Sequence, residues 1–186
     1  GNYALVVEAV REVGGREAVR IPFEWPIKAA KRESAQGTKE LGAVALTLCD
    51  ADTPVWLHSC FAKSAVAPWL AFHTGAAIVQ EKGEARFAFM QASAGICSFS
   101  LFASGTQEYP DRSTTILIEV NSLAEGRQLT LSGPGIKGET AVSVDGLPEA
   151  FFSFWNDNRA LFPTGVDLVL TAGNALLCLP RTTKIV

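Results

Sequence analysis

Histidine is nearly missing from this chain: among 186 residues there are two, His58 and His73. The four cysteines, at 49, 60, 97 and 178, share no CxxC spacing. Together these residues fit no familiar zinc pattern, so no metal site is expected. The thiols read as reduced, mostly packed small hydrophobes, as in a cytoplasmic protein. Long apolar runs are missing too. Residues 41–49 form the most apolar early stretch, far short of the roughly 20 residues a bilayer span needs. No charged segment followed by an apolar one opens the chain, so neither a membrane span nor a signal peptide is expected. Charge of one sign is also scarce: the formal net charge is −3 and the pI about 5.4. The clusters, such as residues 28–32, are short and mixed, which argues against a nucleic-acid partner.

Apolar side chains are abundant. Hydrophobic residues make up 48% of the chain and charged ones 19%, a composition that folds. The length suits one domain, residues 1–186, with a substantial core.

The pattern along the chain alternates between helix and strand. Apolar positions Leu5, Val6, Ala9, Val10 and Val13 have helical spacing and stop at Gly14-Gly15, so residues 3–13 are expected to be helical. Residues 16–23 read as a short strand, and residues 31–39, with Pro22 and Pro26 before them, as loop. Thr38 is a plausible N-cap for a helix whose stripe is Leu41, Val44, Ala45 and Leu48. Residues 53–57, 85–90, 114–120 and 128–132 read as strands. Between the last two, Glu125-Gly126 is a turn signal. Residues 64–72 read as a helix in which Pro68 is a cost, and residues 147–155 as a helix with Pro148 in its first turn. Residues 166–171 and 175–179 are apolar strands joined by the hairpin turn Ala172-Gly173-Asn174. Strands interleaved with helices indicate an α/β domain, and the late hairpin makes its sheet mixed.

The usual catalytic signatures do not occur. There is no GxGxxG. Gly135-Ile136-Lys137-Gly138 has its lysine before the second glycine, unlike a P-loop. Ala103-Ser104-Gly105 lacks the first glycine of a nucleophile elbow. What remains is a set of polar candidates, each with a plainer reading. Asp50 and Asp52 could pair at a site but more simply cap a turn before Thr53-Pro54. His73 precedes Thr74-Gly75, where the helix dipole favours it. His58 and Cys60 would share a strand face, which permits a nucleophile dyad, with no third group to orient the ring. Ser132-Gly133-Pro134-Gly135 could form an anion nest or a plain turn. Arg181-Thr182-Thr183 could grip a phosphate, or make a salt bridge or subunit contact. In residues 151–155, Phe151, Phe154 and Trp155 fit one helical side. Phe152 is therefore expected to serve a neighbouring element or subunit.

Several blocks in order resemble the PhnH family. They are Leu46-Thr-Leu-Cys-Asp-Ala-Asp-Thr-Pro-Val-Trp-Leu57, Phe72-His-Thr-Gly75, Ser122-Leu-Ala-Glu-Gly-Arg127 and Leu131-Ser-Gly-Pro-Gly-Ile136. Leu147-Pro-Glu149, Phe162-Pro-Thr-Gly-Val-Asp-Leu-Val-Leu-Thr171 and Leu179-Pro-Arg-Thr-Thr183 complete the set. Residues 1–40 carry little of the likeness: where the family's first helix usually ends in Arg-Pro-Gly, Glu12-Val-Gly-Gly15 stands here. The resemblance implies a three-layer α/β sandwich with a mixed sheet, like pyridoxal-phosphate-dependent transferases but without the cofactor or its lysine. It implies homodimers in isolation, and PhnG, PhnI and PhnJ as partners in the carbon–phosphorus lyase core complex. That complex joins a phosphonate to the ribose of ATP, giving a ribose 1-phosphonate 5-triphosphate. The subunit itself is expected to be structural, with no catalytic residue and no cofactor. Its candidate ligand or interface residues are Asp52, Thr53, Trp56, His73 and Thr74 in the first two blocks. Gly133, Gly135, Arg181 and Thr182 supply the rest.

Overall fold

The computed structural model describes residues 4–10, 16–22 and 39–185. Five parallel strands form the centre. They are β3 (Val55–Leu57), β4 (Ile78–Val79), β5 (Phe87–Gln91), β6 (Thr115–Glu119) and β9 (Asp167–Ala172). The edge strand β10 (Ala175–Leu179) pairs antiparallel with β9, and the sheet order is β10-β9-β6-β5-β3-β4. The mixed α/β sheet read from the sequence is therefore present, and the Gly173-Asn174 hairpin supplies its antiparallel strand.

Parallel strands are buried on both faces, so their side chains are almost all apolar. The register shows how the two faces divide. Trp56, Ala88, Ile116 and Leu168 lie in one row, and Leu57, Phe89, Leu117 and Val169 in the next. The first row belongs to an apolar cluster with Phe99, Phe102, Phe151, Trp155, Leu129, Leu131 and Val144. The second belongs to a separate cluster with Leu41, Ala45, Cys49, Phe61, Val66 and Leu70. A one-residue slip would send every one of these side chains to the wrong face.

The second face is covered by α1 (Lys39–Leu48), α2 (Ser59–Ala62) and α3 (Val66–Thr74). The α1 stripe runs Leu41, Ala45, Cys49, not to Leu48, which is 42% exposed. The helix expected over residues 64–72 is present as α3, which starts two residues later and runs two further. Ser64 accepts a hydrogen bond from the Val66 backbone and separates α2 from α3. Pro68 then falls in the first turn of α3, where its missing donor has no partner to lose, so the expected cost vanishes. Gly75, at φ 74°, closes α3 by donating to the Ala71 carbonyl.

The first face is covered by α4 (Ala150–Ala160) and a second sheet of β7 (Ser122–Ser132), β8 (Glu139–Asp145) and β11 (Lys184–Ile185). The sequence reading missed β4, β8 and β11. It also placed a turn at Glu125-Gly126. The chain instead continues as β7, and the ladder steps from Ser122 opposite Asp145 to Arg127 opposite Val144, looping the intervening residues out. Phe151 and Trp155 bury, while Phe152 turns to β7 and lies under the Arg127 guanidinium, 4.1 Å from its ring centre.

At the chain start β1 (Ala4–Val10) pairs antiparallel with β2 (Arg16–Pro22). The expected helix over residues 3–13 is thus a strand across Ala4–Val10, while the short strand after it is present. Three of those seven residues, Val6, Val7 and Val10, are β-branched, and a short apolar run of this kind fits either period. The Thr38 cap and the expected loop at 31–38 lie outside the described residues.

Candidate functional site

The polar candidates divide between the two ends of the parallel strands. Asp52 and Thr53 precede β3, and His73 and Thr74 precede β4, so both pairs lie toward the N-terminal end. Asp50 organises its turn: its carboxylate accepts from the Asp52 backbone, 3.0 Å, and its carbonyl from the Thr53 hydroxyl, 3.0 Å. A Cβ on Gly75 would lie 3.5 Å from Ala51, so the two family blocks meet here. The Thr74 hydroxyl donates to the Leu70 carbonyl and accepts from Ala76, completing the end of α3. His73 packs its ring against Trp69, 4.5 Å between centres, and Phe72, 5.0 Å. Apart from the approach of Gly75 to Ala51, these contacts are local and shape a turn or a helix end.

Arg181 lies at the same end of the sheet, on the far side of β5. Its Nε and Nη2 donate to the two oxygens of Asp167, at 3.2 and 2.5 Å. Nη1 donates to the carbonyls of Pro110 and Pro163, and Nη2 also to the Ser113 hydroxyl. A guanidinium has five N–H donors, and all five are taken inside the fold. Of the readings open for Arg181, the salt bridge is the one the geometry fits. Thr182 lies beside the glycine loop, its carbonyl 3.2 Å from where a Gly133 Cβ would stand. The Cβ positions of Gly135 and Gly138 face open space.

The other end of the strands carries a cluster the candidate set omitted, apart from Trp56. In open α/β sheets ligands sit outside the carboxyl ends of the strands. There His58 follows β3, and its Nδ1 lies 3.2 Å from the Cys60 sulfur. The dyad geometry comes from the first turn of α2, not from a continuing strand. Trp56 meets the His58 ring edge-on at 6.1 Å, and Lys82 lies 4.8 Å over the Trp56 ring. Burial first, and then the Lys82 charge, lower the His58 pKa below its ordinary 6.5. Burial first raises the Cys60 thiol above 9.0, and the nearby Glu119 charge adds to it against two backbone hydrogen bonds. At neutral pH this is therefore an uncharged thiol–imidazole pair, not the thiolate a nucleophile requires. Lys82 and Glu119 carry no motif in the sequence. The one hint was a carboxylate at the end of the β-branched run 114–120.

Among the described residues the chain is an α/β domain with a mixed sheet covered on both faces and Arg181 held in a clasp with Asp167. Comparison with known proteins supplies the family. The model of the bacterial phosphonate metabolism protein PhnH matches residues 24–186, and the chain belongs to the PhnH family. Over 144 residues it is 56% identical to the alpha-D-ribose 1-methylphosphonate 5-triphosphate synthase subunit PhnH of Rhizobium meliloti (strain 1021), covering 77% of this chain and 72% of that one. HtxG of Stutzerimonas stutzeri, assigned as a C-P lyase subunit protein, is 38% identical over 81 residues, 44% of this chain and 42% of HtxG. A second model, of a family described as a predicted periplasmic protein, matches residues 1–43. It covers the part of the chain where the family likeness is weakest.

Proposed function

We propose that this chain is a non-catalytic, structural subunit of a carbon–phosphorus lyase core complex, which makes ribose 1-phosphonate 5-triphosphates during phosphonate breakdown. Family membership gives the assembly, and the commitment of all five Arg181 donors within the fold carries the non-catalytic part. The reactive groups then belong to the partners PhnG, PhnI and PhnJ, and the isolated chain is a cytoplasmic homodimer. The fold is read as that of pyridoxal-phosphate-dependent transferases without the cofactor. An aldimine needs a desolvated lysine. Among the described lysines, Lys63, Lys137 and Lys184 are exposed and half-buried Lys82 covers Trp56. Co-expression with PhnG, PhnI and PhnJ tests the reading. A complex that loses synthase activity when this chain is left out, and keeps it in Cys60→Ser, His58→Gln and Arg181→Lys variants that still assemble, is the expected result. A chain that ignores all three partners overturns it.

A second reading is a phosphate- or nucleotide-binding subunit. The open space around Gly135 and Gly138, in the loop whose Gly133 meets Thr182, favours it. Titration of the purified chain with ATP, followed by calorimetry, decides: saturable heat lost in a Gly135→Pro variant supports it, and no heat removes it.

A further inference from the structure

We propose that the crevice at the carboxyl ends of β3 and β5 binds a small oxyanion, gripped between the Lys82 ammonium and the His58 ring. The chain order makes the crevice. β4 pairs with one side of β3 and β5 with the other, so the connections leaving β3 and β5 run apart. Ligands of open α/β sheets bind at such a switch point. The structural role proposed for the chain makes no use of it. The glycine loop at residues 133–138 lies elsewhere, beside Thr182.

Lys82 is the anchor. It is half-buried, with its ammonium 4.8 Å from the centre of the Trp56 ring. Among the described residues no carboxylate lies within salt-bridge reach of it, although Glu81 and Glu84 are close along the chain. A cation drawn partly out of water without a counter-charge is unfavourable, and a bound anion corrects it. His58 supplies the second donor. Its half-buried ring meets the same Trp56 edge-on, 6.1 Å between centres. Lys82 already acts on it: after burial, the Lys82 charge is the second cause that holds the imidazole below 6.5. Nδ1 is engaged with the Cys60 sulfur at 3.2 Å, and burial keeps that thiol protonated. The S–H donates to Nδ1, which leaves the ring proton on Nε2 as the donor for a ligand. Cys97, whose thiol the Lys82 charge also reaches, is likewise kept neutral by burial, and the Glu119 charge acts on Cys60. The crevice therefore offers one positive charge and one neutral N–H, and binding can add a second charge by protonating the ring. That set suits the oxygens of a carboxylate, a phosphate or a phosphonate.

The test is direct because the chain has two histidines, and His73, toward the other end of the strands, reports any effect that is not local. Imidazole NMR of the full chain gives both pKa values in sodium chloride. It is repeated at matched ionic strength in inorganic phosphate, methylphosphonate and acetate, so that plain screening of Lys82 cancels. A bound oxyanion should raise the His58 pKa by about one unit and leave His73 in place. A shift with all three anions makes this a general oxyanion site. A shift confined to phosphate and methylphosphonate makes it a phosphoryl site, and one confined to acetate a carboxylate site. Lys82→Met should raise the His58 pKa in chloride and abolish the anion effect, while Lys82→Arg keeps it. Amide dispersion checks that both variants fold. No shift beyond chloride, a shift shared by His73, or one that survives Lys82→Met overturns the proposal. Such a failure leaves the structural-subunit reading to its own co-expression test.

Discussion

Asp167 and Arg181 form a fork-to-fork pair that ties the start of β9 to the chain leaving β10, and the same guanidinium holds the loops at Pro110, Ser113 and Pro163. The side chain of Arg181 is 12% exposed and that of Asp167 34%. A pair this sheltered differs from an ordinary surface bridge, which contributes about 0–1 kcal/mol.

Arg181→Lys should therefore be far from conservative. A lysine keeps the charge but cannot reach three loops and both carboxylate oxygens at once. The expected loss is about 2–4 kcal/mol, reduced from the fully buried case because Asp167 is partly wet. Urea unfolding measures it. A midpoint within error of the wild type would mean the clasp is slack.

Gly126 should tolerate no side chain. Its φ is +104°, and a Cβ there would stand 2.6 Å from the Asp145 Cα and the Val144 carbonyl, both backbone atoms. Gly126→Ala should cost about 2 kcal/mol or more, from strain and the displaced bulge together. Thermal unfolding checks it, and Gly83→Ala, with nothing within 4 Å, serves as the mild control.

Thr171 offers a gain. It is 0% exposed, and its hydroxyl has no hydrogen-bond partner among the described residues. Thr171→Val removes an uncompensated polar group at nearly constant shape and should stabilise by about 1 kcal/mol. Destabilisation would reveal a bound water or a partner for the hydroxyl.

The His58 pair gives a pH dependence with a definite sign. The folded-state pKa lies below the ordinary 6.5. As pH falls past that value the unfolded chain takes up the proton first, so stability present above pH 6.5 declines. His58→Gln should flatten the unfolding free energy between neutral and mildly acidic pH. The opposite slope would place a carboxylate, not Lys82, beside the ring. At the alkaline end buried Cys49, pushed up to about 12, should act in reverse: stability falls as pH rises above 9, and Cys49→Ala lessens that fall.

Much of the architecture was legible in the residues because binary pattern and turn chemistry act locally. The runs at 114–120 and 166–171 could only be buried strands. The Gly173-Asn174 turn could only make a hairpin, and Phe152 could not share the face of Phe151 and Trp155. The strand at Ala4–Val10 was misread because a short valine-rich run satisfies two periods, and its hydrogen-bonding partner is another segment. Likewise β8 and β11 exist because β7 is there to pair with them, and Pro68 is harmless only because Ser64 starts a new helix.

The sequence by itself determined the family, the α/β class and the mixed sheet, since these follow from ordered motifs and short-range periodicity. Only the tertiary structure decided what the candidate side chains do. Arg181 became a clasp because Asp167 and three loops, distant along the chain, converge on it. His58 lies below its ordinary pKa and Cys60 above its own because burial first, and then the Lys82 and Glu119 charges respectively, disfavour their charged forms. Interaction partners and local dielectric are properties of packing, and no local stretch of residues encodes them.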